Sequence, residues 1–270
     1  MRSMLFAGAT RPDLVAKLDR SGPDVAVIDL EDAVPAESKL EARTALRELV
    51  GTVSGPKLFV RVNAPDTSWF ADDIVAVSSL PITGVVVPKV ETVDDLVLAR
   101  SALGERAELC AGIESARGVA NVEAILGEGE PAAAYFGAED YVADLGGRRS
   151  AGGEEALYAR SRVALAARLA GVAAIDQVVV DFRDEDAFRH DAEAGRAIGY
   201  RGKLCIHPSQ VPIANEVFGA SAAELERARA LLATWEEGAA RGVAAVEFEG
   251  AMIDGPALRM ARDTIARGGG

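Results

Sequence analysis

The segments ELCAGIES (residues 108–115) and AAAYFGAED (residues 132–140) decide the fold of this chain. Each is a short apolar run that ends in an acidic side chain, Glu114 in the first and Asp140 in the second. A buried strand with an ionisable group at its end needs a reason to place that group at the edge of a hydrophobic core. In a parallel β/α barrel this edge holds the active site. Because 26 residues, about one βα repeat, separate the two carboxylates, we expect them on neighbouring strands.

Six further apolar runs follow the same pattern, and several of them also end in a charged or polar residue. The eight predicted strands are Ser3–Gly8, Val25–Asp32, Lys57–Asn63, Gly84–Glu91, Glu108–Ser115, Ala132–Asp140, Gln177–Phe182 and Lys203–His207. Alanine-rich stretches with helical periodicity lie between or after them, at Leu14–Ser21, Lys39–Leu49, Val93–Leu103, Val119–Leu126, Glu154–Ala170, Asp184–Ile198 and Ala222–Arg241. This alternation is typical of βα units and a parallel sheet.

Eight strands favour a closed TIM-type (β/α)8 barrel with a C-terminal helical extension. An open doubly wound sheet usually has about five to seven strands and often a glycine fingerprint, and neither G-x-G-x-x-G nor a P-loop follows any predicted strand. The length of 270 residues fits one such barrel. We place the barrel at residues 1–218 and the extension, a candidate lid or oligomer contact, at residues 219–270.

Composition excludes several function classes. The chain has 29 basic and 42 acidic residues and a net charge of −13, which argues against nucleic-acid binding. No apolar stretch approaches the roughly 18 residues that span a bilayer, and no signal peptide is evident, so we expect a cytoplasmic protein without a membrane partner. Cys110 and Cys205 lie inside predicted strands and are expected to be buried thiols rather than a disulfide.

Glu114 and Asp140 are the candidate metal ligands. Two carboxylates at neighbouring strand ends, with no histidine or cysteine beside them, suit a hard divalent cation such as Mg²⁺, completed by water and substrate oxygens. The alternative is that each carboxylate caps the following helix or pairs with an arginine.

Arg61 is the candidate substrate-binding residue, because it interrupts an otherwise apolar strand with a planar fork of donors that suits a substrate carboxylate. Its alternative role is an internal ion pair with Asp29, Glu31 and Asp32 of the neighbouring strand, and both roles can hold at once. We expect these three acids, and Lys89 at the end of strand four, to orient the metal ligands, Arg61 and bound water.

Seven short motifs, in order along the chain, resemble the citrate lyase β-subunit and malyl-CoA lyase family of the HpcH/HpaI aldolase superfamily. They are GATRP (8–12), DLEDAV (29–34) with Lys39 and Ala42-Arg43 downstream, VRVN (60–63), VPK (87–89), GIES (112–115), GAEDY (137–141) and MID (252–254). The match covers nearly the whole chain. Each motif alone is a weak pattern, whereas seven in the same order are specific.

The resemblance implies a barrel enzyme that binds Mg²⁺ and makes or breaks a carbon–carbon bond next to a thioester carbonyl. It places Glu114 and Asp140 at the metal-ligand positions, where they also meet the substrate, and Arg61 at the position that binds keto-acid or hydroxy-acid oxygens. It gives Asp254 the role of an acid/base group supplied by the adjacent subunit, which implies a homotrimer. His207 matches a further family motif and is interpreted as structural.

The expected activity is Mg²⁺-dependent cleavage or formation of a short 3-hydroxy dicarboxylic acyl-CoA thioester, of the citramalyl-CoA, malyl-CoA or citryl type, with acetyl-CoA and a 2-oxo acid as the products. One alternative is a carrier-free metal-dependent aldolase that releases pyruvate or glyoxylate, and another is a non-catalytic barrel subunit. No G-x-S-x-G nucleophile motif is present. The candidates for a CoA phosphate site are Arg11, Lys39, Arg43, Arg148 and Arg149, each of which a solvated helix face explains about as well.

Overall fold

The computed structural model describes residues 1–240, 242 and 245–268, apart from the side chain of Glu105. The chain forms two compact units, Met1–Asn215 and Glu216–Gly270. Among the described residues, no helix is both long and apolar enough to cross a membrane.

Eight parallel strands close into a barrel in the first unit, which confirms the predicted fold class. The strands are β1 (Ser3–Gly8), β2 (Val25–Asp29), β3 (Lys57–Arg61), β4 (Gly84–Val87), β5 (Glu108–Ile113), β6 (Ala133–Phe136), β7 (Ala173–Asp176) and β8 (Gly202–Cys205). Each pairs with the next along the chain, and β8 pairs with β1 to close the sheet.

Helices follow the strands of the first unit along the chain, and further helices belong to the second unit. They are α1 (Pro12–Val15), α2 (Lys39–Val50), α3 (Phe70–Ser78), α4 (Val93–Leu103), α5 (Ala116–Glu128), α6 (Ala138–Asp144), α7 (Glu154–Ala170), α8 (Glu185–Ala197), α9 (Gln210–Phe218), α10 (Ala222–Ala240) and α11 (Gly255–Gly268). Sequence periodicity predicted α4 and α7 at these residues and missed α3, α6 and α9. It predicted a first helix at Leu14–Ser21, whereas α1 is the shorter segment Pro12–Val15. The predicted barrel boundary after residue 218 coincides with the end of α9 and stays a prediction. Arg241, the predicted last residue of α10, lies outside the described residues.

The seventh strand was predicted in the wrong place. It is Ala173–Asp176, not Gln177–Phe182. Helix α7 ends at Gly171 in a left-handed conformation (φ 73°), and the chain enters the barrel almost at once. The valines that follow have the stronger strand propensity, but they belong to the loop after β7, where Val180 is 59% exposed. A short strand rich in alanine was therefore hidden by the apolar run beside it.

The inward faces of the strands form the barrel core and then become the floor of its mouth. The buried core consists of Met4, Val25, Val27, Phe59, Val86, Cys110, Ala133, Tyr135, Ile175 and Leu204. Because alternate residues of a strand share a face, the inward row that contains Val27 continues to Asp29, and the row that contains Phe59 continues to Arg61. Cys110 and Cys205 are both buried free thiols, and burial raises the pKa of Cys205 to about 12.

The second unit packs α10 and α11 with an antiparallel hairpin, β9 (Val246–Phe248) and β10 (Ala251–Ile253). Its small core contains Ala228, Leu231, Ile253, Leu258 and Ala261. The sequence had predicted an apolar run from Val243, of which residues 243 and 244 lie outside the described part of the chain.

Candidate active site

Asp29 and Arg61 form a two-pronged ion pair at the ends of β2 and β3, where they are partners in the strand register. Arg61 Nε donates to Asp29 Oδ1 at 2.7 Å, and Nη2 donates to Oδ2 at 2.6 Å. Asp29 also accepts the backbone N–H groups of Glu31 and Ala33. Burial acts to raise the pKa of Asp29, but the Arg61 guanidinium holds it below its ordinary value. The alternative role considered for Arg61, an internal ion pair, is therefore present, and it leaves Nη1 for other contacts.

Glu31 lies between the two cations of the site. Its Oε2 is 3.1 Å from Arg61 Nη1, and its Oε1 contacts Lys89 Nζ. Oε2 is buried and makes no hydrogen bond within the described part of the chain. Burial raises the pKa of Glu31 to about 7 although Arg61 opposes the shift, and the negative charge of Asp32 adds to it. Glu31 is thus a carboxylate that its surroundings only partly neutralise.

Lys39 fixes the shape of the segment that carries Glu31. Its buried ammonium group donates to the carbonyl oxygens of Leu30 and Glu31, both at 2.8 Å, and lies 5.3 Å from the centre of the Trp69 ring. The sequence analysis had considered Lys39 for a CoA phosphate, but its donors face the protein interior. Lys39 is therefore one of the site-building residues whose role the sequence did not reveal.

Most of the other candidate phosphate ligands also have partners within the protein. Arg43 binds Asp73 at 2.7 Å and Asp72 at 3.0 Å, while Arg149 binds Glu139 at 2.8 Å. These contacts lower the number of donors available to an anion. The two remaining candidates, Arg11 and Arg148, are exposed. Arg11 forms an ion pair with Asp13 at 3.0 Å.

Glu114 follows β5 and is only 4% exposed. Its Oε1 accepts two hydrogen bonds, from the Lys89 backbone N–H at 3.0 Å and from the Tyr135 hydroxyl at 2.5 Å. Lys89 has a left-handed backbone (φ 51°), which is uncommon for a residue with a side chain and is typical of functional sites. Oε2 receives no hydrogen bond from the described residues, so one oxygen of Glu114 is saturated and the other is open.

Asp140 lies in the first turn of α6, not at the end of β6 as predicted. The strand stops at Phe136, and the chain turns at Gly137 into a helix that the sequence analysis had missed. Asp140 is 3.6 Å from Lys89 Nζ, and its side chain is 41% exposed. Burial raises the pKa of Glu114, and the nearby negative charge of Asp140 adds to this shift. The two predicted metal ligands therefore lie close enough to interact.

We call this group of side chains the mouth cluster. It combines five carboxylates with two cations, namely Asp29, Glu31, Asp32, Glu114 and Asp140 with Arg61 and Lys89. Lys39 adds a third positive charge near Glu31, which still leaves an excess of negative charge. Such an excess, with open oxygens on Glu114 and Asp140, suits a divalent cation.

The donor set also limits what that cation would be. The described residues contain no group of three or more histidine, cysteine, aspartate or glutamate side chains placed to hold a metal. A cation would therefore take two carboxylates from the protein and its remaining ligands from water and substrate. Mg²⁺ is commonly bound in this way, whereas structural Zn²⁺ needs four protein ligands.

Two other predicted residues have local contacts of their own. His207 stacks on Phe182 with ring centres 4.7 Å apart, and its Nδ1 is 2.9 Å from Ser209 Oγ. These contacts agree with a structural role. Asp254 belongs to the second unit, where Oδ1 accepts the Ala257 backbone N–H at 3.1 Å at the start of α11. Its role as an acid/base group stays a prediction.

Tyr135 is the functional candidate that sequence reasoning missed. It was treated only as part of an apolar strand, yet its hydroxyl contacts Glu114. The available signal was a tyrosine on the inward face of β6 opposite a glycine, Gly112, of β5. Recognising this contact required the register between the two strands, which the sequence alone did not supply.

Comparison with known proteins places this architecture in a family. The HpcH/HpaI aldolase/citrate lyase family model matches residues 2–208. The chain belongs to this family. Among its relatives, the citrate lyase subunit beta-like protein of Deinococcus radiodurans is 51% identical over 98% of this chain and 96% of that protein. A (3S)-malyl-CoA thioesterase of Cereibacter sphaeroides is 33% identical over 98% of this chain and 94% of its own length.

Solved structures of family members agree with the fold. The crystal structure of CitE from Mycobacterium tuberculosis, in complex with magnesium, acetoacetate and coenzyme A, has a TM-score of 0.84 and 34% sequence identity, and the match covers 100% of both chains. The family assignment predicted from the seven motifs is therefore confirmed.

Proposed function

We propose that this protein is a Mg²⁺-dependent carbon–carbon lyase that cleaves a short 3-hydroxy dicarboxylic acyl-CoA thioester into acetyl-CoA and a 2-oxo acid. The observation that carries the proposal is the pair of open carboxylates, Glu114 and Asp140, beside Arg61 and Lys89 at the mouth of the barrel. The magnesium and coenzyme A bound to a relative that is 34% identical support it.

Glu114, through Oε2, and Asp140 would hold the metal ion. When bound there, Mg²⁺ would act as a Lewis acid that stabilises negative charge on substrate oxygens. The protein itself keeps Glu114 oriented, because the Lys89 N–H and the Tyr135 hydroxyl both hold Oε1.

Arg61 would bind the oxygens of the hydroxy-acid end of the substrate. Asp29 holds its Nε and Nη2, so the guanidinium is fixed before substrate arrives and Nη1 is the donor that remains. A substrate oxygen at Nη1 would compete with Glu31 Oε2, which is 3.1 Å away and forms no hydrogen bond. Because Arg61 carries a positive charge and is already oriented, it would both bind the substrate and stabilise the negative charge that develops on the oxygen of the 2-oxo acid.

Cleavage passes the proton of the substrate hydroxyl to a base, breaks the adjacent carbon–carbon bond to form the 2-oxo acid, and leaves an enolate on the acetyl thioester that takes up a proton from an acid. We assign this step to Asp254 of a neighbouring copy within a homotrimer. Mixing two inactive variants tests the assignment: Glu114→Gln and Asp254→Asn chains should regain part of the activity after subunit exchange, since some sites then combine an intact Glu114 with an intact Asp254. A mixture that exchanges subunits but stays inactive would contradict action between subunits.

Hydrolysis of the thioester is a second candidate, because a relative 33% identical to this chain is named (3S)-malyl-CoA thioesterase. Product analysis separates the candidates. With (3S)-malyl-CoA, the lyase releases acetyl-CoA and glyoxylate, whereas a thioesterase releases malate and free CoA. Cleavage of the free hydroxy acids as efficiently as of their CoA thioesters would instead indicate the carrier-free aldolase.

The metal site is tested by Glu114→Gln and Asp140→Asn. We expect each to reduce kcat/KM by about 100-fold or more, because each removes a charged ligand of the ion that stabilises the transition state. Glu139→Gln is the matched control, since Glu139 neighbours Asp140 on α6 but pairs with Arg149 instead of facing the cluster. Full turnover in the presence of a strong chelator would overturn the proposal.

A further inference from the structure

The two oxygens of Glu114 have very different surroundings. Oε1 accepts the Lys89 N–H and the Tyr135 O–H, which occupies the directions in which a carboxylate oxygen accepts hydrogen bonds. Oε2 receives no donor from any described residue. The asymmetry is a property of the protein alone.

Two glycines of the surrounding backbone leave room for this arrangement of the Glu114 oxygens. Tyr135 is 2% exposed, and a Cβ on Gly112, its partner in the strand register, would lie 2.5 Å from both the Tyr135 hydroxyl and Glu114 Oε1. On the other side, a Cβ on Gly137 would lie 2.6 Å from Glu114 Oε2. Glu114 is thus confined between two glycine positions, and Oε2 lies against the turn that leads into the helix of Asp140.

We infer that Tyr135 is a positioning residue that, with the Lys89 amide, restricts Glu114 to a single coordinating oxygen and so makes the site select Mg²⁺ over Ca²⁺. The inference rests on the proposed function. Mg²⁺ demands near-octahedral geometry with short bonds, which one oxygen from each carboxylate satisfies. Ca²⁺ takes six to eight oxygens at longer distances and commonly uses both oxygens of a carboxylate. An Oε1 held by two donors cannot turn toward the ion to provide the second oxygen.

Tyr135→Phe tests the inference by metal binding, without any assay of turnover. Titration calorimetry of chelator-treated protein with MgCl₂ and with CaCl₂ gives both dissociation constants. We expect the variant to lose about 10-fold in Mg²⁺ affinity, the lower end of the effect of removing a partner of a metal ligand. Its Ca²⁺ affinity should stay within about 3-fold of wild type or improve, because Oε1 then accepts only the Lys89 N–H and can offer its remaining lone pair to the ion. The preference for Mg²⁺ over Ca²⁺ should therefore fall.

Tyr200→Phe is the matched control. Tyr200 is 1% exposed, and its hydroxyl donates to the Arg160 carbonyl at 2.9 Å, so the substitution removes one buried hydrogen bond away from the mouth cluster. Both dissociation constants should remain at wild-type values. Gly112→Ala provides a second route to the same effect, because the added methyl group must displace Tyr135 or Glu114 from their contact.

The outcomes separate this inference from the proposed function. If Glu114→Gln abolishes Mg²⁺ binding while Tyr135→Phe keeps the wild-type ratio of the two constants, the metal site stands and the selectivity role of Tyr135 is wrong. A Tyr135→Phe protein that is less heat-stable with an unchanged ratio would show a purely structural role and leads to the same conclusion. Wild-type protein that binds no Mg²⁺ overturns both proposals.

Discussion

The barrel contains two clusters of buried charge, and only one has the features of a site. The second, which we call the β7–β8 cluster, consists of Arg160, Asp176, Asp191 and Lys203. Both clusters are built on an ion pair between register partners of adjacent strands, Asp29 with Arg61 in the mouth cluster and Asp176 with Lys203 in the other.

The clusters differ in their charge balance. In the β7–β8 cluster two carboxylates meet two cations, and Lys203 Nζ donates to Asp176, to Asp191 and to the Gln177 carbonyl. In the mouth cluster carboxylates outnumber cations, and the Oε2 atoms of Glu31 and Glu114 accept no hydrogen bond from described residues. Buried charge alone therefore does not identify a functional site. An excess of one sign with open acceptors does.

The largest change in stability should come from removing a cation from the β7–β8 cluster. Lys203→Met leaves Asp176, which is fully buried, and Asp191 with Arg160 as their only remaining cation in the cluster. We expect the free energy of unfolding to fall by about 3–5 kcal/mol, the usual cost of an uncompensated buried charge. Urea denaturation followed by circular dichroism measures it.

Lys57→Met is the control for this change, because Lys57 pairs with Glu108 on the surface and is 47% exposed. Its loss should cost no more than about 1 kcal/mol. Equal losses in the two variants would show that buried Lys203 contributes no more to stability than the lysine of an exposed ion pair.

Removing a negative charge from the mouth cluster should raise the free energy of unfolding, whereas removing a charge from the β7–β8 cluster lowers it. Glu31 has a pKa raised to about 7 in the folded protein against an ordinary value of 4.5, so the unfolded chain releases this proton first as the pH rises. The contribution of Glu31 to stability is therefore full below pH 4.5 and lost as the pH rises through 7. At pH 8, metal-free Glu31→Gln should be more stable than wild type by roughly 1–3 kcal/mol, counting 1.36 kcal/mol for each pKa unit.

Denaturation of chelator-treated protein at pH 4.5 and pH 8 checks this prediction, since the gain should nearly vanish at the lower pH. Asp32→Asn is the control: Asp32 belongs to the same cluster, but its side chain is 54% exposed, so its replacement should stay within about 0.5 kcal/mol at both values. A Glu31→Gln protein less stable than wild type at pH 8 would mean that Arg61 and Lys89 neutralise Glu31 fully.

The contrast between the clusters also marks how far the sequence could be interpreted. An ion pair of Arg61 with the acids of the neighbouring strand could be offered from the sequence as an alternative role, because charged residues at the ends of adjacent strands meet at the same rim. That Asp29 is the two-pronged partner follows from the register of β2 and β3, which pairs Asp29 with Arg61. The pair of Asp176 and Lys203 was not predicted, since misplacing β7 by a few residues put Asp176 before the strand. Tyr135 and Asp140 depended on strand register and on a turn at Gly137, which are tertiary properties that a single sequence does not display.

The smallest predicted effect is a change in how the free energy of unfolding depends on pH under acidic conditions. Burial acts to raise the pKa of Asp191, but Lys203 and Arg160 hold it below its ordinary value of 3.8. Its stabilising contribution is therefore present above about pH 4 and is lost as the pH falls through the lowered pKa, which is the reverse of the behaviour of Glu31. Asp191→Asn should be less stable than wild type at pH 7, and the difference should shrink below pH 4.

Asp186→Asn, which removes an exposed carboxylate from the same helix, should follow the wild-type curve throughout. A difference between Asp191→Asn and wild type that is constant from pH 7 to pH 3 would show that Asp191 stabilises the β7–β8 cluster through packing and not through its charge.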